Sequence, residues 1–266
     1  MVRLEPRGFL DIDGLRLEYT LDGVPPSSAP VIVLLHEGLG CAGLWGDFRA
    51  ALARAGGCGV FACSREGYGA SDPVPLPRPL DYMQRHAREV LPRVIDAIGA
   101  DRVVLAGHSD GASIAAVYAG EFDDPRLRGV ALIAPHFFVE DFALAEIAKA
   151  KTAWETTDLR AKLARWHARV DIAFRGWNDA WLDRDFPAAF DIRALAPRIR
   201  VPVLAIQGAE DQYGTLAQID VVEHGDDPRR RRLILPGVKH APHREAAQAT
   251  VAAIADFARE VVESDS

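Results

Sequence analysis

The stretch Gly107-His108-Ser109-Asp110-Gly111 indicates the fold through its neighbours. Residues 102–106 before it are mostly apolar and typical of a β-strand, whereas residues 112–118 after it are typical of a helix. In a strand–turn–helix context, the G-x-S-x-G pattern raises the serine hydroxyl out of the backbone as a nucleophile. Without that context, the same five residues would form a glycine-rich turn with an idle serine. Ser109 is therefore the candidate nucleophile.

Apolar runs like the one before the pentapeptide recur along the chain. A strand that is apolar at every position is buried on both faces, as in a parallel sheet covered by helices. Residues 44–55, 80–98 and 246–262 have apolar side chains at helical spacing, and Pro92 is expected to kink the second helix. The alternation predicts an α/β fold with a mainly parallel sheet and right-handed crossovers. The predicted parallel strands are residues 31–35, 59–62, 102–106, 130–134, 201–206 and 232–235.

One long segment interrupts this alternation. Residues 137–200 contain no convincing strand and hold four of the five tryptophans. We interpret the segment as a helical insertion, which divides the chain into a core of residues 1–136 and 200–266 and a cap of residues 137–199. Aromatic side chains on such a cap must face something apolar. The tryptophans expected to line a substrate pocket are Trp154, Trp177 and Trp181. The alternative, that they only attach the cap to the core, is left open.

The partners of the serine are expected on two later loops. A serine nucleophile needs a base and an orienting carboxylate, in the chain order Ser, Asp or Glu, His. Asp211 follows the last but one predicted strand, and His240 follows the last one. The carboxyl ends of parallel strands gather at one edge of a sheet, so these groups can meet Ser109 there. Glu210 and His243 are the alternatives to them.

Stabilising a negatively charged oxygen requires hydrogen-bond donors near the serine. One expected donor is the backbone N–H of Asp110, the residue after the nucleophile. The other comes from the loop after an early strand, residues 36–40, where glycines let the backbone turn sharply. We choose Gly38 in this loop and place Leu39 second.

Two other histidines lie close to these elements in the sequence. His136 follows a predicted strand at the start of the insertion, and we expect it to border the substrate pocket. His108 lies inside the tight turn of the pentapeptide, and we expect its side chain to point away from the site. The remaining histidines are interpreted as surface or packing residues.

Together these features resemble the α/β-hydrolase superfamily, in particular its lidded members with a nucleophilic serine. The resemblance extends over nearly the whole chain, from the predicted hairpin at Asp13-Gly14 to the last predicted loops. It implies a mainly parallel eight-stranded sheet flanked by helices, with a helical cap. It also implies that Ser109 is the nucleophile, Asp211 the orienting acid and His240 the general base and acid.

The chain departs from the family pattern at two positions. Glu37 follows His36, where the family usually has a glycine. This carboxylate is expected to contact a polar substrate or to order a loop, with exposure to solvent as the alternative. Ser64-Arg65 stands before Gly67, where the family usually carries an aspartate, so an interaction of that aspartate is expected to be missing.

Composition limits the classes of partner. The chain has 266 residues and a formal net charge of −7, which disfavours nucleic acid because phosphate binding needs a basic face. The basic run at 229–232 is interpreted as a solvated loop entering a strand. Cys41, Cys58 and Cys63 fit neither a disulfide framework nor a zinc pattern, which indicates a reducing compartment.

Without a signal-peptide pattern or a run long enough to span a membrane, we expect a cytoplasmic protein. Its expected partner is a small-molecule substrate, with no membrane partner, and a homodimer is left open. No metal or organic cofactor is expected, because His36-Glu37 lacks the second histidine of a zinc-protease helix.

The leading hypothesis is a carboxylic-ester hydrolase that acts on small, largely apolar acyl groups through an acyl-enzyme. Family members that this chain resembles also imply a carbon–carbon bond hydrolase of dienoate ring-fission products, or a lactonase. A dienoate needs a cation in the cleft for its carboxylate, and Arg65, Arg175 and Arg193 are the candidates. A non-catalytic ligand receptor on the same fold is the third hypothesis.

Overall fold

The computed structural model describes residues 4–223 and 227–263 of the chain. The first three residues and His224 lie outside the described ranges. The expectations for the N-terminal stretch and for His224 as a surface or packing residue therefore concern residues that are not described.

One sheet of eight strands runs through the described residues. The strands are β1 (Arg7–Ile12), β2 (Leu15–Gly23), β3 (Val31–Leu35), β4 (Gly59–Cys63), β5 (Val103–His108), β6 (Leu127–Ile133), β7 (Val203–Gly208) and β8 (Arg230–Leu235). Their order across the sheet is β1-β2-β4-β3-β5-β6-β7-β8. β2 pairs antiparallel with β1 and β4, and all other neighbours are parallel. The predicted α/β fold with a mainly parallel eight-stranded sheet is confirmed.

Helices cover both faces of this sheet because its strands are apolar on both faces. Val31, Val33 and Leu35 of β3 belong to one core, and Ile32 and Leu34 belong to the other. The helices are α1 (Phe48–Gly56), α2 (Tyr82–Arg85), α3 (Leu91–Ile98), α4 (Asp110–Glu121), α5 (Asp141–Thr156), α6 (Leu159–Leu163), α7 (Val170–Trp181), α8 (Phe186–Ala189), α9 (Ala217–Asp220), α10 (Pro242–Glu245) and α11 (Ala247–Glu263). α3 and α4 contribute to the first core, and α1 and α11 contribute to the second.

The helix predicted over residues 80–98 is irregular where the sequence carries a proline. A π-helical turn, His86–Val90, separates α2 from α3, and Pro92 lies at the start of α3. Proline has no amide hydrogen, and its ring collides with the carbonyl one turn earlier in a regular α-helix. The wider π turn accommodates this break in the hydrogen-bond ladder.

The interrupting segment is helical, as its sequence predicts. α5 to α8 and a 3-10 turn, Arg193–Arg198, lie between β6 and β7, and none of the described residues in this segment is in a strand. α5 packs on α7 within it. The division into a core and a cap, with boundaries near residues 136 and 200, stays a prediction.

Candidate active site

Ser109 lies in the turn between β5 and α4, in a strained backbone conformation. Its φ of 53° and ψ of −119° are rare for a residue with a side chain. Two glycines allow the turn to close. A Cβ on Gly107 would lie 2.2 Å from the Gly111 carbonyl oxygen, and one on Gly111 would lie 2.0 Å from the Leu35 carbonyl oxygen. The turn therefore presents Ser109 at the carboxyl end of β5.

His240 and Asp211 are paired at the same edge of the sheet. They follow β8 and β7, which end at Leu235 and Gly208. The Nδ1 atom of His240 lies 2.9 and 2.8 Å from the two carboxylate oxygens of Asp211. A carboxylate only accepts hydrogen bonds, so Nδ1 donates and Nε2 is left as an acceptor. This is the orientation that a general base needs.

Several donors hold the Asp211 carboxylate in place. It accepts hydrogen bonds from Gln207 Nε2 at 2.7 Å, from the Tyr213 amide at 2.7 Å and from the Gly214 amide at 3.2 Å. Burial alone would raise the pKa of Asp211, but the hydrogen bond and charge of His240 lower this pKa below its ordinary value. The carboxyl group is therefore ionised at neutral pH.

The two alternatives to this pair lie elsewhere. Glu210 is exposed at the surface. His243 is buried, and its ring centroid lies 4.9 Å from that of Trp45 and 4.6 Å from that of His108. Burial lowers the pKa of His243 well below its ordinary value, so this ring is neutral.

The loop that follows β3 is packed under a tryptophan from α7. A Cβ on Gly38 would lie 2.1 Å from Trp177 Nε1, so only glycine leaves room for the indole. Within the described residues, the amides of Gly38 and Asp110 have no hydrogen-bond acceptor from the protein. The Asp110 amide belongs to the first turn of α4, where N–H groups lack intrahelical partners. Neither amide is therefore used by the protein itself, and Gly38 lines the cavity described next.

One cavity brings most of the predicted residues together. Its volume is about 320 Å³. The predicted residues that line it are Glu37, Gly38, Leu39, Ser109, His136, Trp177, Trp181 and His240. Trp154 lies outside this lining, because its ring stacks on that of Phe174 with the centroids 4.0 Å apart. This contact joins α5 to α7, so the alternative of a packing role fits Trp154.

His136 borders the cavity as a neutral ring. Its centroid lies 5.6 Å from that of His240 and 5.1 Å from that of Trp181. Burial and the neighbouring His240 lower the pKa of His136 to about 3. The ring therefore offers hydrogen-bonding nitrogens to a substrate without adding a charge.

The expectation that His108 points away from the site is wrong. Its Nε2 atom lies 2.7 Å from the main-chain oxygen of His240, because β5 extends to His108 and directs the side chain towards that loop. The cavity is also lined by residues that the sequence did not predict. Most of them lie next to predicted site residues along the chain, and this closeness in sequence could have identified them. They are Gln212, Tyr213, Ala241, Arg244 and Glu245. Ile147, on α5, gave no such signal.

The three arginines considered for a substrate carboxylate lie outside the cavity lining. Arg65 is 1% exposed, and its guanidinium lies 3.6 Å from the Asp110 carboxylate. Arg175 and Arg193 are exposed and pair with aspartates of their own segments. Arg65 is therefore a buried structural residue beside the serine turn. The arginine that lines the cavity is Arg244.

Within residues 4–223 and 227–263, no group of three or more His, Cys, Asp or Glu side chains is placed to hold a metal ion. No helix in these ranges is both long and apolar enough to cross a membrane.

Comparison with known families assigns the class of protein. The model of the Alpha/beta hydrolase family matches residues 32–254. Because this match covers most of the chain, the protein belongs to the α/β hydrolase family, as the resemblance of its motifs predicts. No curated protein matches the chain significantly.

Solved structures share the fold over nearly the whole chain. The enol-lactonase from Burkholderia xenovorans LB400 is 23% identical, with a TM-score of 0.71 over 94% of this chain and 99% of its own. The proline iminopeptidase from Mycobacterium smegmatis is 20% identical, with a TM-score of 0.71 over 98% of this chain and 100% of its own. An E-2-(acetamidomethylene)succinate hydrolase is 19% identical, with a TM-score of 0.72 over 94% of this chain and 98% of its own. At these identities the likeness concerns the fold.

Proposed function

We propose that the protein is a serine hydrolase of small carboxylic esters, with Ser109 as nucleophile, His240 as base and Asp211 as orienting acid. The observation that carries this proposal is the His240–Asp211 hydrogen bond of 2.8 Å at a cavity that Ser109 also lines. If residues 107–111 were only a glycine-rich turn and His240 only a packing residue, a hydrogen bond between His240 and Asp211 beside Ser109 would not be needed.

The proposed reaction proceeds through an acyl-enzyme. Ser109 Oγ forms a bond to the ester carbonyl carbon while its proton moves to His240 Nε2. The carbon–oxygen bond to the alcohol then breaks, and the alcohol leaves with that proton. Water next gives a proton to Nε2 and attacks the acyl carbon, and the acid departs as Ser109 Oγ recovers the proton. The amides of Gly38 and Asp110 are the proposed donors to the carbonyl oxygen in both steps.

The lining of the cavity supports small, largely apolar acyl groups. A volume of about 320 Å³ lies at the lower end of the range for small-molecule sites. Leu39, Ile147, Trp177 and Trp181 supply apolar surface in it. Polar groups from Glu37 and the loops after β7 and β8 lie in the same lining and can orient the alcohol portion of an ester.

Replacement of Ser109 tests the proposal. Ser109→Ala is expected to lower the turnover of a p-nitrophenyl ester by about a thousandfold or more, with unchanged far-UV circular dichroism. Labelling of wild-type protein by a fluorophosphonate, located at Ser109 by mass spectrometry, is expected as well. A wild-type protein that is not labelled would favour the non-catalytic receptor.

Lactone hydrolysis is the second candidate, because it uses the same acyl transfer and one cation borders the cavity. Arg244 lies in the lining and is half exposed, and its guanidinium lies 3.5 Å from the Glu37 carboxylate, so a substrate carboxylate would share this cation with Glu37. An enol-lactonase is among the proteins with this fold. A panel of p-nitrophenyl esters, lactones and a ring-fission dienoate, assayed side by side, separates these substrates by kcat/KM.

A further inference from the structure

A histidine next to the proposed nucleophile contacts the proposed base through the main chain. His108 is 3% exposed, and its Nε2 atom lies 2.7 Å from the carbonyl oxygen of His240. A carbonyl oxygen only accepts hydrogen bonds, so Nε2 of His108 must carry a hydrogen. The contact therefore ties the backbone of the His240 loop to the end of β5.

The second nitrogen of the His108 ring faces a carboxylate. Nδ1 lies 3.6 Å from Glu37 Oε2, and the Glu37 side chain is 21% exposed. At this distance the contact is electrostatic and not a hydrogen bond. Glu37 therefore contacts the ring at Nδ1, while Nε2 donates to the main-chain oxygen of His240.

Several charged and titratable groups surround this contact. Burial alone would raise the pKa of Glu37, but His108, His243 and Arg244 hold that pKa well below its ordinary value. Arg244 Nη2 lies 3.5 Å from the other oxygen of Glu37. The rings of His240 and His243 lie 5.0 and 4.6 Å from that of His108. Glu37 is thus an ionised carboxylate between the His108 ring and the Arg244 guanidinium.

We propose that Glu37 and His108 form a positioning pair for His240. Glu37 holds the His108 ring, and the ring holds the main chain of His240, while Asp211 orients the imidazole of His240 from the other side. The inference rests on the proposed function, in which His240 is the base. It assigns a role to the glutamate that replaces the glycine of the family pattern, because glycine has no side chain to reach His108.

The test compares variants that keep or remove the donor to His240. His108→Ala is expected to slow fluorophosphonate labelling of Ser109 by about tenfold to a hundredfold, because a base displaced by a fraction of an ångström accepts the proton poorly. With a p-nitrophenyl ester, kcat is expected to fall while KM stays within about twofold of wild type. His108→Gln retains an N–H donor at the end of the side chain and is expected to restore most of the rate.

A matched control comes from a second buried histidine–glutamate pair away from the cavity. His86 Nδ1 lies 2.9 Å from Glu66 Oε2, and neither residue lines the candidate site. Both His86→Ala and His108→Ala are expected to lower the Tm, because both rings are buried, but His86→Ala is expected to leave the labelling rate of Ser109 at the wild-type value. Equal labelling rates for His108→Ala and His86→Ala overturn the inference while the proposed function stands.

The contact between Glu37 and His108 is measured separately by ¹⁵N NMR of the histidine side chains. Glu37→Gln is expected to shift the Nδ1 resonance of His108, because the neighbouring carboxylate is lost, while the Nε2 resonance keeps the signature of a protonated nitrogen. An unchanged His108 spectrum in Glu37→Gln overturns the pairing of Glu37 with His108. Wild-type protein that the fluorophosphonate does not label removes the proposed function itself, together with the inference built on it.

Discussion

At the scale of single residues, Gly38 is the position where the smallest change is expected to have the largest effect. A methyl group there would lie 2.1 Å from Trp177 Nε1, so the loop or the indole has to move. Gly38→Ala is therefore expected to displace a proposed oxyanion donor and to lower kcat by about a hundredfold to a thousandfold. Steady-state kinetics with a p-nitrophenyl ester measures the loss.

Gly43→Ala is the control for that substitution. Gly43 also faces a tryptophan, but its Cβ would lie 3.1 Å from the ring of Trp166, which is 46% exposed and free to move. We expect kcat of this variant to stay within about twofold of wild type. If both glycine variants kept full activity, Gly38 would not be the donor.

Glu66 contributes a stability that depends on pH. Burial alone would raise its pKa, but the charge and hydrogen bond of His86 lower the pKa from 4.5 to about 2. The unfolded chain therefore binds the proton more readily, and the stabilisation is present above pH 4.5 and lost as the pH falls towards 2. Glu66→Gln is expected to cost about 3 kcal/mol at neutral pH and much less at pH 3.

Urea denaturation of wild type and Glu66→Gln over pH 3 to 7 measures this difference in the free energy of unfolding. A constant difference between wild type and Glu66→Gln across the whole range would contradict the lowered pKa.

The site shows where residue-level prediction from sequence ends. Asp211 and His240 are predictable because each follows a strand that is apolar enough to recognise, and strand ends share one edge of the sheet. The direction of the His108 side chain depends on how far β5 continues, which the apolar run did not show. Trp154 and Trp177 look alike in the sequence, and only the packing of α5 on α7 distinguishes them.

At the scale of elements, α7 controls the size of the cavity. Trp177 and Trp181 lie one turn apart on this helix and both line the cavity. Trp177→Leu removes indole volume from the lining, so longer acyl chains are expected to fit. The ratio of kcat/KM for p-nitrophenyl hexanoate to that for the acetate is expected to rise about tenfold.

Trp154→Leu separates this effect from a general weakening of the helical segment. Trp154 of α5 stacks on Phe174 of α7 and lies outside the lining. We expect its replacement to lower the Tm and to leave the ratio of hexanoate to acetate turnover unchanged. A rise of that ratio in both variants would mean that mobility of the helices, and not cavity volume, sets the preference.

The sequence predicted which segments are strands and which are helices better than it predicted their local geometry. Strands that are apolar throughout, such as Val31–Leu35, are recognisable in the sequence because no surface helix has that pattern. The π turn before Pro92 was foreseeable only as an irregularity, since a proline can be accommodated in several ways.

At the scale of the whole molecule, the thiols report on global unfolding. Cys41, Cys58 and Cys63 are buried and free, and burial raises their pKa values to about 12, 11 and 12. We expect no alkylation by iodoacetamide at pH 8 in the native state and three adducts in 6 M guanidinium chloride, because a buried thiol is neither ionised nor accessible. Intact-mass spectrometry counts the adducts. Modification of the native protein within minutes would show that a thiol is accessible.

The buried pair of Arg65 and Asp110 limits how the sequence can change. Arg65 Nη2 donates to the carbonyl of Glu37 at 2.9 Å and lies 3.6 Å from Asp110 Oδ2, so one guanidinium joins the loop of Gly38 to the first turn of α4, the two places of the proposed oxyanion donors. Loss of either partner alone would leave an uncompensated buried charge, at about 3–5 kcal/mol. Among descendants of this chain, we expect the two positions to be replaced together or not at all, so that an alignment of close homologues would show them as a covarying pair.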